Sequence, residues 1–217
     1  HTHPAPRTSR IPHPCVLHLP FLSSKDGREI DKKMASMEVN SSGRRGARTI
    51  AGAELALLMA LEMNSIGMLE CALSNGASPD TLDEDACNAV YLAAGFGFLP
   101  AVKLLLEQGA SPNTPNSDGF TALHVAACAG ELDCLRALVQ AGGDVNQQSN
   151  GGFTPLCYAA GEGHIACACA LVEAGSCVES LSLHGCTPLF HAAKGGHPEM
   201  VKQLLAMVSE GKYDMHS

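Results

Sequence analysis

Gly119-Phe-Thr-Ala-Leu-His-Val-Ala-Ala, Gly152-Phe-Thr-Pro-Leu-Cys-Tyr-Ala-Ala and Gly185-Cys-Thr-Pro-Leu-Phe-His-Ala-Ala are three versions of one segment, spaced by 33 residues. One period earlier stands Ala86-Cys-Asn-Ala-Val-Tyr-Leu-Ala-Ala, degenerate but with the Ala-Ala pair intact. One period earlier again, Leu55-Ala-Leu-Leu-Met-Ala is a more divergent copy. A second motif keeps the same frame, at Gly76-Ala-Ser-Pro-Asp, Gly109-Ala-Ser-Pro-Asn, Gly142-Gly-Asp-Val-Asn and Gly175-Ser-Cys-Val-Glu. A fixed period of this length marks a stacked repeat rather than a single thick core.

Each part of the unit has a physical reason. Thr-Pro opens a helix, because Thr can cap free amides and Pro is tolerated in the first turn. Ala-Ala keeps that helix thin, so neighbouring layers can approach. Gly97, Gly130, Gly163 and Gly196 then recur at one position, where the helix must end in a left-handed conformation. The first unit has Asn64 there, the residue that best substitutes for Gly in that conformation. A second helix follows, with Val102, Leu135, Ala168 and Val201 at one apolar position and Leu105, Leu138, Leu171 and Leu204 at another. Gly109, Gly142 and Gly175 close it, and the polar stretch between units, such as Thr114–Asp118, reads as an extended turn. One unit cannot bury its apolar face alone, so stacking supplies the core. Leu138→Ala is expected to cost about 2–5 kcal/mol.

These residues resemble the ankyrin repeat, a turn followed by two antiparallel helices, over about residues 50–217. The motif is most specific around Asp118-Gly-Phe-Thr-Ala-Leu-His and in the two units after it. The resemblance implies an all-α solenoid of helix-turn-helix units joined by β-turn or hairpin loops. It also implies a non-enzymatic binding scaffold or adaptor that uses its concave turn and first-helix side. The alternative is a regulatory or substrate-recruiting region of a larger protein, such as a ubiquitin-ligase subunit, channel or kinase. The family's Thr-Pro-Leu-His histidine, which hydrogen-bonds near the turn, survives only as His124. Tyr91, Cys157 and Phe190 occupy its place elsewhere.

The frame divides the chain into a basic tail or leader at 1–49 and a repeat array at 50–212, with a short tail at 213–217. Within the array, a degenerate amino-terminal cap spans 50–80, and four units follow at 81–113, 114–146, 147–179 and 180–212. Met34 and Met37 are candidate true starts, with an incomplete amino terminus as the alternative. Val208 stands where a closing Gly is expected, which reads as the end of the array or as a truncation.

Charge narrows the partner. Residues 1–48 hold nine Lys/Arg against four Asp/Glu, whereas 49–217 hold five against eighteen. An array so acidic lacks the clustered Lys and Arg that phosphate contacts need, which argues against nucleic acid and for a protein with a basic or neutral surface. No apolar run approaches membrane-span length. With no export signal visible, the ten cysteines are taken as reduced thiols, and the protein as a cytoplasmic or nuclear monomer.

The candidates for chemistry have plainer readings. Cys167 and Cys169 would point about 200° apart on a second helix, so they do not form a metal pair. Cys167 aligns with Cys134 and Met200 at a core position, and Cys169 with the exposed Arg136 and Lys202. His1, His3, His13, Cys15 and His18 fall in the tail, with no fold expected to gather them. Cys157 and His164 fall at opposite ends of one helix, too far apart for a nucleophilic pair. No catalytic, cofactor or metal residue is therefore assigned.

The sharper expectation concerns the turns. Asp83, Glu84 and Asp85, then Asn116, Ser117 and Asp118, then Asn150, then Leu183 and His184 share one place in successive units. Phe120 and Phe153 precede each Thr, with Cys87 and Cys186 as equivalents, and Phe96, Glu162 and Lys194 end the first helices on the same side. Together these residues form the expected partner-binding face, with the two phenylalanines as exposed aromatic anchors; the plainer alternative is that the turns are merely solvated and that Phe120 and Phe153 pack on their own helices.

Overall fold

The computed structural model describes residues 47–83 and 86–209. Among these, ten helices form five pairs, and no strand occurs beyond an isolated antiparallel bridge between Leu82 and Asn88. The pairs are α1 (Ala47–Glu62) with α2 (Ile66–Ser74), α3 (Ala89–Gly95) with α4 (Leu99–Glu107), and α5 (Ala122–Ala129) with α6 (Leu132–Gln140). They continue as α7 (Pro155–Glu162) with α8 (Ile165–Glu173) and α9 (Pro188–Gly195) with α10 (Pro198–Ser209). First helices pack on first helices and second on second, which is the expected all-α solenoid. Its first helix starts at Ala47, slightly before the expected boundary at residue 50.

Thin first helices make the layers fit. Ala93, Ala94, Ala126, Ala127, Ala159 and Ala160 are all fully buried. The second-helix leucines Leu105, Leu138, Leu171 and Leu204 are likewise at zero exposure. Helix starts follow local chemistry. Asn88 Oδ1 accepts from Tyr91 N at 2.7 Å, and Thr187 Oγ1 accepts from Phe190 N at 3.3 Å. Pro155 and Pro188 occupy first-turn positions where no amide is needed.

The corner between paired helices is left-handed in every unit, at φ 68° for Gly97, 78° for Gly130, 77° for Gly163 and 76° for Gly196. Asn64 takes the same conformation at φ 52°, as its place in the frame predicts. Glycine has a second reason here. A Cβ at Gly130 would stand 2.6 Å from His164 Nδ1, and one at Gly163 would meet His197 Nδ1 at 2.6 Å. Those imidazoles cross to the preceding unit, where His164 Nε2 meets the Cys128 carbonyl at 3.0 Å and His197 Nε2 meets that of Gly161 at 2.9 Å.

A ladder on the linkers ties the units together. Asn113 Nδ2 donates to the Gly142 carbonyl at 3.0 Å, and its Oδ1 accepts from Asp144 N at 2.8 Å. Asn146 repeats both bonds one unit later, to Gly175 O at 3.1 Å and from Cys177 N at 2.9 Å. Asp80, in the same register, can only accept, and takes Ser111 N at 3.2 Å.

Candidate partner-binding site

The linkers between units form tight hairpin turns built on one recurring bond. Asp83 Oδ1 accepts from Cys87 N at 2.8 Å, Asn116 Oδ1 from Phe120 N at 2.9 Å, Ser149 Oγ from Phe153 N at 3.3 Å and Ser182 Oγ from Cys186 N at 3.2 Å. Asp83 and Asn116, both expected on the binding face, are half-buried parts of these turns. Their side chains shape the edge more than they decorate it.

The turns are joined edge to edge. Asn150 N donates to the Asp118 carbonyl at 2.9 Å, and Leu183 N to that of Gly151 at 3.1 Å. Asn150 Nδ2 adds a bond to the Ser117 carbonyl at 3.0 Å. This holds Ser117, Asn150 and Leu183, which are exposed at one position of successive turns, in a fixed row. His184 is exposed beside Leu183, whose side chain is 74% exposed. Asp118, Phe96 and Glu162 are half-buried, and Lys194 is exposed at the end of α9. Glu84 and Asp85 lie outside the described residues, as do the tail histidines and Cys15.

Phe120 and Phe153 are a correction. They are not exposed anchors, because they retain only 1% and 5% of their surface. Phe120 meets His124 edge-on at 5.6 Å and Tyr158 of the next unit at 5.5 Å between ring centroids. Phe153 meets Tyr158 at 5.9 Å and His191 at 5.2 Å. The hairpin turns each ring inward, and the next first helix closes over it, so the rings join adjacent units. A signal for this was present in the frame. The equivalent residues are Cys87 and Cys186, and cysteine is among the most buried of residue types.

His124 sits deep in this aromatic seam with no exposed surface. Thr121 N donates to its Nδ1 at 3.0 Å, so Nδ1 is the bare nitrogen and Nε2 carries the proton. Nε2 then donates to the Phe153 carbonyl at 3.0 Å, which links two units. Burial lowers the imidazole pKa to about 4, and the bond to Phe153 only partly opposes that. Where the histidine is missing, substitutes differ. In its unit, Cys157 Sγ lies 3.5 Å from Thr154 Oγ1, whose hydroxyl also meets Ser180 Oγ at 3.3 Å.

The cysteines largely follow the frame. Cys134 and Cys167 are buried at 1% exposure, and burial pushes both thiols up to about 11. Cys169 is half-buried rather than exposed, because its short side chain lies lower on the helix than the exposed Arg136 and Lys202 that share its register. Cys157 and His164 are engaged separately, with Thr154 and with the Cys128 carbonyl. Among the described residues no group of three or more His, Cys, Asp or Glu could hold a metal ion. No described helix is long and apolar enough to cross a membrane.

Comparison with known proteins agrees with this architecture. The family model for ankyrin repeats in three copies matches residues 57–149 and 141–214. No curated protein matches the sequence. The family match spans well over half of the chain and coincides with the helix pairs, so the chain belongs to the ankyrin-repeat family.

Proposed function

We propose that the array is a non-enzymatic scaffold that binds a partner protein along the edge of its turns and the adjoining ends of its first helices. Ankyrin repeats generally mediate protein–protein interaction, and the site on this chain is the part that rests on its own geometry. The carrying observation is the hydrogen-bonded row of turns, which presents Ser117, Asn150 and Leu183 at repeat spacing on a backbone that is already ordered. A preorganised row loses little conformational freedom when a partner docks, so more of the contact energy appears as affinity. With Phe120 and Phe153 inside, the apolar contribution shifts to Leu181 and Leu183, exposed at 59% and 74%. Asp83 and Asp118 at the turns, with the acidic excess of residues 49–217, suit a basic or neutral partner surface in a reducing intracellular compartment.

The test is a pull-down with residues 49–217, followed by affinity measurement on the captured protein. Leu183→Ala and Asp118→Lys should each weaken binding at least several-fold, with unfolding midpoints unchanged. Arg136→Ala and Lys202→Ala, on the second-helix side, should leave binding intact. Unchanged affinity in both edge variants places recognition elsewhere on the stack.

A further inference from the structure

The turn at 149–152 differs from the one before it in a single bond. Gly152 N donates to the Ser149 carbonyl at 2.8 Å and closes the turn, with Asn150 and Gly151 at its centre. In the preceding turn Asn116 Oδ1 accepts from Asp118 N at 3.0 Å as well as from Phe120 N at 2.9 Å. Ser149 stands in the place of Asn116, and its shorter side chain takes Phe153 N at 3.3 Å without reaching Gly151 N. Gly151 N, the counterpart of Asp118 N, therefore has no hydrogen-bond acceptor among the described residues. Gly151 is itself fixed by packing. A Cβ there would stand 2.6 Å from Phe153 Cε2, and that ring is buried between units.

We propose that Asn150 is a site of spontaneous deamidation, which turns one link of the turn row into a negative charge. The backbone nitrogen of Gly151 attacks Asn150 Cγ and closes a succinimide ring. The side-chain nitrogen leaves as ammonia, carrying the proton that Gly151 N gives up through water. Water then opens the ring at either carbonyl, giving aspartate or isoaspartate. The step needs no oxidant and no partner, and it does not rest on the binding role of the edge. Three conditions meet at this position. The residue after the asparagine has no side chain to crowd the attack, the attacking nitrogen is not engaged, and Asn150 is exposed to water. The two other Asn-Gly or Asp-Gly pairs among the described residues lack the second condition. Gly76 N, after Asn75, donates to the Leu73 carbonyl at 3.0 Å, and Gly119 N, after Asp118, donates to that of Asn116 at 3.0 Å. What holds Asn150 back is the bond from its Nδ2 to the Ser117 carbonyl at 3.0 Å, which must open before the side chain swings to its own backbone. That bond is on the surface, where water replaces it at little cost. Either product loses the Nδ2 donor and sets a carboxylate against the Ser117 carbonyl. Isoaspartate also routes the main chain through Cβ and Cγ, which lengthens the closed turn by one atom and disturbs the bond from Asn150 N to the Asp118 carbonyl. The edge thus loosens and gains charge as the molecule ages.

Peptide mapping by mass spectrometry on the full chain, held folded in warm, mildly alkaline buffer, tests this. The peptide with Asn150 should gain one mass unit and split into aspartate and isoaspartate forms at least tenfold faster than the peptide with Asn75 converts. In urea, where both glycine amides are free, the two sites should convert alike. Asn150→Gln should abolish the shift at its own position and leave Asn75 unaffected. The proposal is overturned if the two asparagines convert at the same rate in the folded chain, or if Asn150 stays intact there while converting in urea. A second measurement reads the consequence. Asn150→Asp, which is one of the two products, should speed amide exchange at residue 150 several-fold with the helix amides unchanged. Exchange there equal to that of the unaltered chain would show that the lost bond does not loosen the row.

Discussion

Acid should weaken this stack through His124, and the size of the effect follows from its burial. The imidazole titrates near 6.5 when unfolded and at about 4 when folded. Because the folded pKa is the lower one, the unfolded chain binds the proton first. The contribution is whole above about pH 7, is lost as pH falls through 6.5, and stops changing below about pH 4. Linkage between these two values removes about 2 kcal/mol between pH 7 and pH 5, and about 3 kcal/mol by pH 4. The structural reason is that protonating Nδ1 sets an N–H against the Thr121 N–H that now donates to it. His191, whose pKa is also lowered by burial, acts in the same direction, so the His124 share must be isolated. His124→Gln does this, since it keeps an acceptor and a donor but does not titrate. Urea unfolding of both proteins at pH 7 and pH 5 gives a double difference in which the other groups cancel. The unaltered chain should lose about 2 kcal/mol more than the variant. Equal losses, or an NMR titration of His124 near pH 6.5, would refute the buried neutral tautomer.

Other outcomes follow from the same seams and turns. Ala86 takes φ 61° where Gly119, Gly152 and Gly185 stand in the later turns, so Ala86→Gly should raise stability by about 1 kcal/mol in denaturant titration. Phe120→Ala should lower stability by about 3–5 kcal/mol, because the ring is buried between units, yet the folded fraction should bind a partner normally. Under native conditions a maleimide should modify the exposed Cys71 and Cys177 first and Cys169 more slowly, and Cys134 and Cys167 only after unfolding. Mass spectrometry of timed samples reads that order, and early labelling of Cys134 would contradict its place in the core.

The repeat, its period, the helix pairs and the left-handed corners were legible in the residues alone. Each depends on a local rule, such as glycine or Asn64 at a corner, Thr-Pro at a helix start or small alanines at a layer boundary, and the rule repeats every 33 residues. Repetition turns a weak local preference into a secure register. The same register placed Cys134, Cys167 and Met200 in the core correctly. It held only a hint, the cysteines at the equivalent positions 87 and 186, of which way the hairpin aims its aromatic. Phe120 and Phe153 sit beside the polar turns in sequence, but Tyr158 and His191 from the following units close over them in space. That burial is a property of two units together. The pairing of His124 with the Phe153 carbonyl and the joining of Asn150 to Ser117 and Asp118 likewise cross from one unit to the next. Periodicity names equivalent residues, whereas exposure depends on the neighbour that covers them. Phe190 shows the difference most clearly, since it repeats a core position and stands half open only because no described unit follows it.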